Sequence, residues 1–95
     1  MASDDEFVAF SDTRPRAPVH LLVVPRLHIG SLDEIERLGT EAAGRLLAFT
    51  ASVAREAGVV EGGYRLVANT GADAGQEVGH LHLHVIGGRR LGGMA

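Results

Sequence analysis

Three histidines stand at every second position in His80-Leu81-His82-Leu83-His84-Val85-Ile86. In an extended chain side chains alternate between faces. His80, His82 and His84 are therefore expected on one face, with Leu81, Leu83 and Val85 turned to the core. Three chemical readings of such a face compete. It is a solvated polar surface, a site where imidazoles converge on zinc, or a site of proton transfer or nucleophilic attack by imidazole near neutral pH. Crowded imidazoles cannot all be cationic, because like charges disfavour further protonation. A ring that stays neutral is a nucleophile. The segment ahead, Gly71-Ala72-Asp73-Ala74-Gly75-Gln76-Glu77-Val78-Gly79, is glycine-rich. Backbone N–H groups of such loops approach and cradle anions, phosphates above all. A phosphate held there would sit beside the middle imidazole.

The elements that must carry these residues are legible around them. Phe7-Val8-Ala9-Phe10 reads as a short strand. Ser11 to Pro18 contains Asp12, Pro15 and Pro18 and reads as a loop. Val19 to Val24 is β-branched and aliphatic, includes His20, and is closed by Pro25, as a buried strand would be. Ser31 to Glu34 fits a capping box at a helix start. Ile35, Leu38, Ala42, Leu46, Phe49, Val53 and Ala57 then recur at spacings of three and four, one face of a helix. Gly39 and Thr40 weaken its middle, a place for a break into a shorter and a longer helix. Gly58 is a candidate C-cap. Tyr64 to Asn69 and His80 to Ile86 are two more strands. Consecutive strands at each end of one helical region predict an α+β domain, an antiparallel sheet with one main helix on a face.

Composition narrows the functions. The chain has 95 residues, expected to form one domain, 1–95. It has no cysteine, which removes disulfides and thiolate metal sites. Net charge is −3 with both signs interspersed. That argues against polymeric nucleic acid as a partner but leaves a single nucleotide open. No apolar run reaches the roughly 20 residues of a membrane helix. The start, Met1-Ala2-Ser3-Asp4-Asp5-Glu6, is acidic rather than signal-like. A cytoplasmic protein with no membrane partner is expected.

The stretch from Gly75 to Arg89, with its His-apolar-His-apolar-His core, resembles the signature of the histidine-triad (HIT) family. Ala9 to Asp12, Ala17 to His20, Val24 to Ile29 and Tyr64 to Asn69 match that family as well. The chain looks more similar to the Hint branch, the nucleoside phosphoramidases, than to the dinucleotide hydrolases. The resemblance implies a HIT-like fold and a hydrolase that works without a cofactor or metal. Its substrate would be a purine nucleotide such as AMP joined as a phosphoramidate or related conjugate. On this resemblance His82 is the nucleophile that forms a nucleotidyl-histidine intermediate. His84 binds the phosphate and assists the leaving group, and His80 and His20 form a hydrogen-bonded pair behind the nucleophile. Asn69 and the backbone of Gly75, Gln76, Glu77 and Val78 hold phosphate oxygens. Asp12 accepts from the ribose hydroxyls, and Phe10 and Leu22 line the base pocket. His28 is assigned a structural place. The family also implies a homodimer built on the helix and the strand after it.

The chain departs from that pattern at three places. It opens at the strand with Phe7, without the helix and hairpin that relatives carry ahead of it, so the fold is expected to be N-terminally shortened. Glu77 stands where a serine is frequent. The tail, Leu91 to Ala95, lacks a Trp-Pro ending. Two other functions stand beside the enzyme: a nucleotide-binding regulatory module with little or no catalysis, and a histidine zinc protein.

Overall fold

A computed structural model describes residues 2–93; Met1 and the last two tail residues, Met94 and Ala95, lie outside the described residues. Five strands form one antiparallel sheet: β1 (Ala2–Ser3), β2 (Phe7–Ser11), β3 (Val19–Pro25), β4 (Tyr64–Val67) and β5 (Leu83–Gly87). Their spatial order is β1-β2-β3-β5-β4, so the last strand lies in the interior of the sheet between β3 and β4. The α+β expectation holds, with β1 as an addition that two acidic-flanked residues gave no pattern to reveal.

The helical region divides at Gly39. A 3₁₀ segment spans Leu32–Leu38 and the main helix, α1, spans Thr40–Glu56. Gly39 has φ of 86°, a conformation glycine adopts without a Cβ penalty, and that turn separates the two. The capping box forms in part. Ser31 Oγ accepts from the Asp33 N–H at 3.2 Å, but the Glu34 carboxylate takes the Gly30 N–H instead of that of Ser31. At the far end Gly58, at φ 76°, sits just past α1, and the Val59 N–H reaches back to the Ala54 carbonyl.

The periodicity of α1 does its expected work. Ala42, Leu46, Val53 and Ala54 are buried, and Phe49 packs against the core with its ring 5.5 Å from that of Phe7. They meet the sheet face built from Phe7, Ala9, Leu21, Val23, Leu83 and Val85. Each such fully buried aliphatic or aromatic side chain contributes about 1.5–3 kcal/mol. The buried Thr50 hydroxyl is satisfied by donating to the Leu46 carbonyl at 2.8 Å. A two-point ion pair, Arg45 Nε and Nη2 on the Glu6 carboxylate at 2.7 and 2.9 Å, joins α1 to the β1–β2 connection.

Two strands are shorter than their sequence patterns. The β3–β5 ladder stops at Val23↔Leu83, so His80 to His82 precede β5 instead of belonging to it. Pro25 lies just beyond on β3, and it has no N–H to carry the ladder on. Alternation survives the loss of pairing: Leu81, Leu83 and Val85 are buried, while His80, His82 and His84 are half-buried. The β4–β5 ladder ends at Val67↔His84, which leaves Ala68 and Asn69 off the sheet. Among the described residues no helix is long and apolar enough to cross a membrane.

Candidate active site

The sheet face away from α1 carries the candidate residues. The registers align Phe10 with Leu22, Leu22 with His84, and His84 with Val67. One row across four strands thus reads Phe10, Leu22, His84 and Val67. Phe10 is 41% exposed, and Leu22 is half-buried. His20, one alternation away from Leu22 on β3, is only 4% exposed. His82 follows His84 in the other direction along the chain, their rings 5.0 Å apart and edge to face.

Hydrogen bonds to the backbone settle which nitrogen of each ring carries the proton, since amides only donate and carbonyls only accept. His82 Nδ1 lies 2.8 Å from the His80 carbonyl. That nitrogen must carry hydrogen, so the lone pair of a neutral His82 is on Nε2. His80 Nε2 lies 3.0 Å from the Pro25 carbonyl and is likewise a donor. His20 is the reverse case. The Arg16 N–H donates to His20 Nδ1 at 3.0 Å. The proton of neutral His20 is therefore on Nε2, which donates to His84 Nδ1 at 2.9 Å. His84 in turn holds its proton on Nε2. Burial of that ring, followed by the neighbouring His82 and His20, holds the His84 imidazole below its ordinary value and keeps it neutral. His84 Nε2 is enclosed and has no partner among the described residues. An unpaired enclosed donor costs about 1–3 kcal/mol, which a ligand oxygen or a water would offset.

This geometry corrects one expectation. His20 pairs with His84, not with His80. His80 points instead to the end of β3, and its ring meets that of His28 at 4.8 Å, edge to face. Strand register causes the difference: His20 lies opposite Ile86, one alternation from His84, while His80 lies beyond the end of the ladder beside Pro25. His28 is exposed, and its carbonyl accepts from Arg37. Asp12 does two things at once. Its Oδ1 accepts the Arg14 N–H at 2.9 Å, the loop-capping use, and its Oδ2 lies 3.4 Å from His20 Nε2.

Asp12, His20 and His84 offer ligand atoms within 4.8 Å of one another, the one such group among the described residues. The His20 nitrogen that faces the group already carries a proton, because its other nitrogen is committed to an amide. A cation there would have to displace that proton and the His20–His84 bond. The donor set suits imidazole chemistry better than metal ligation.

The glycine loop is braced by Gln76. Its Oε1 accepts the Gly71 N–H at 2.8 Å, and its Nε2 donates to the carbonyls of Gly30 at 2.7 Å and Val78 at 3.0 Å. The loop turns at Gly71 and Gly75, with φ of 84° and 83° around a short 3₁₀ turn, Ala72–Ala74. Gly75, Glu77 and Val78 are exposed along it, and Asn69 is half-buried at its start.

Known proteins match this arrangement. Residues 1–91 fit the family model described as HIT domain. The chain belongs to the HIT family. It is 42% identical over 91 residues to the purine nucleoside phosphoramidase of Escherichia coli K12, covering 96% of this chain and 76% of that one. A histidine triad protein from Clostridium difficile superposes with a TM-score of 0.91 at 37% identity, over 100% of this chain and 83% of the other. A HIT family hydrolase from Legionella pneumophila gives 0.89 at 40% identity, over 95% and 80%. The five-stranded antiparallel sheet with one main helix is the fold these HIT proteins share. Two residues to which sequence patterns assign no role support the imidazoles: Arg16, which acts through its backbone, and Arg89, which holds Arg16. A backbone amide leaves no signature in residue types.

Proposed function

We propose that the protein is a hydrolase that cleaves a purine nucleoside phosphoramidate, or a related nucleotidyl conjugate, through an intermediate on His82. The observation that carries this reading is the His80 carbonyl on His82 Nδ1, which leaves the Nε2 lone pair of a half-buried ring free for phosphorus. His82 Nε2 forms a bond to the α-phosphorus as the phosphorus–nitrogen bond breaks and the nitrogen departs as an amine, protonated from solvent. The Nδ1 proton stays on the ring, held by the His80 carbonyl, so the nucleotidyl-imidazole is cationic and a good leaving group in its turn. Water then attacks the phosphorus, His82 Nε2 is released with its lone pair, and the proton shed by the water replaces the solvent proton that the departing amine took up. The His84 Nε2–H donates a hydrogen bond to the phosphoryl group or the departing nitrogen and keeps its proton. Asn69 and the Gly75–Val78 backbone hold the other oxygens, where fixed donors stabilise developing charge. Phe10 and Leu22 take the base, and Asp12 Oδ2 faces the ribose.

Two features support a homodimer. The outer edge of β4 is unpaired among the described residues, and the apolar side chains Leu47, Tyr64 and Leu66 are exposed. Strand edges and exposed apolar side chains of this kind are covered when copies associate. A nucleotide substrate fits an enzyme of the cytoplasm.

The test is incubation with adenosine 5′-phosphoramidate, acid-free quenching and peptide mass spectrometry. An adenylyl adduct on His82 is expected. His82→Ala should keep the fold by circular dichroism and lose turnover by about a thousandfold or more, as loss of a nucleophile does. AMP binding with no turnover by the unaltered protein would instead favour the regulatory module.

A further inference from the structure

We propose that Arg89 is a positioning residue, which fixes where His84 holds its proton by way of the Arg16 segment and His20. The inference rests on the proposed role of His84. Both backbone polar groups of Arg16 are engaged. Its N–H donates to His20 Nδ1 at 3.0 Å, and its carbonyl accepts from Arg89 Nη2 at 2.7 Å. Arg89 lies 73 residues further along the chain, just past the end of β5. Its Nη1 is tied to the Arg90 carbonyl at 2.9 Å, so the guanidinium spans two carbonyls. A planar fork with fixed donors can do this, and a lysine ammonium reproduces it only in part.

The approach of the two segments is built in. Gly88 has φ of 92°, and a Cβ there would lie 3.0 Å from Pro18 Cβ and 3.3 Å from the Val19 nitrogen. The exit of β5 is thus pressed against the end of the Ser11–Pro18 loop, and Arg89 follows directly. The relay is continuous: Arg89 holds the Arg16 carbonyl, the Arg16 amide holds His20, and His20 Nε2 donates to His84 Nδ1 at 2.9 Å. If the Arg16 segment moves away, His20 Nδ1 loses its donor. The Asp12 carboxylate, 3.4 Å from His20 Nε2, is then the one group left to hold the proton there, and the form with the proton on Nδ1 and an accepting Nε2 becomes populated. His84 would follow by moving its proton to Nδ1, and its enclosed Nε2 would change from donor to acceptor. The group facing the phosphate would repel it.

Long-range ¹H–¹⁵N spectra of the imidazole rings read this directly, above the pH where the rings titrate. In the unaltered protein His20 and His84 should both report Nε2–H, and His82 should report Nδ1–H. Arg89→Ala should shift His20 and His84 toward Nδ1–H, leave His82 unchanged, and lower kcat about ten- to hundredfold, a range typical of misplaced groups. KM should move much less. Arg89→Lys should restore part of both signals. Ring spectra and kcat that stay as in the unaltered protein in Arg89→Ala would overturn the proposal. If the rings shift but the unaltered protein has no phosphoramidase activity, the relay stands and the proposed substrate falls.

Discussion

At the scale of single residues, the site is a set of imidazoles whose protons are placed by the backbone. The sequence shows identical side chains at His80, His82 and His84, yet the three rings differ in their hydrogen bonding because each meets a different partner. His82 faces a carbonyl, His84 meets another imidazole, and His80 reaches the end of β3. The depressed His84 imidazole has a consequence for stability. The unfolded chain takes up a proton at the ordinary value of 6.5, while the native ring resists it. Stability is thus unaffected by this group above that pH. It falls as pH drops through the ordinary value, and stops falling below the native one. Urea midpoints measured between pH 7.5 and 5 should decline less in His84→Gln than in the unaltered protein. Parallel declines would mean that His84 is not a source of the acid sensitivity.

At the scale of elements, the two sides of the site are held by different devices. On the histidine side His84 is held by β5, an interior strand flanked by β3 and β4, and His82 and His80 by backbone carbonyls just ahead of it. The other side, the glycine loop proposed to hold phosphate, is braced by one amide side chain. Gln76→Ala removes three hydrogen bonds and leaves the partly buried Gly30 carbonyl without its donor. A loss of about 1–3 kcal/mol in unfolding free energy is expected. Hydrogen exchange should accelerate at the Gly71 amide, while β5 amides stay protected. The patterns that predicted elements worked where one face is buried, as along α1 and at Leu81, Leu83 and Val85. They overran where pairing ends. Pro25 stops a ladder that alternation alone would extend, and Asn69 falls beyond the β4 ladder although its segment reads as a strand.

At the scale of the whole molecule, one face of the sheet is covered by α1 and the other is given to the site. Tyr64 and Leu66 lie on the face that carries Val85, and they are exposed together with Leu47 of α1 and the outer edge of β4. Sedimentation at micromolar concentration should give a species of twice 10.0 kDa. Leu66→Lys should shift it toward the monomer, because a charge on a covered apolar position costs about 2 kcal/mol or more. A monomer at every concentration would remove the dimer.

The sequence by itself determined the α+β class, the core face of the helix, the break at Gly39 and the set of histidines that share a face. These follow from periodicity and from local backbone freedom, which are properties of neighbouring residues. It also carried the family, because the His-apolar-His-apolar-His run and the glycines around it are a linear pattern. Only the tertiary structure decided that His20 serves His84, that the Arg16 amide orients them both, and that Arg89 closes on Arg16 from the far end of the chain. Such contacts join residues up to 73 positions apart through backbone groups. Every residue except proline has the same backbone N–H and C=O, so residue types alone give no sign of which amide will be the one that matters.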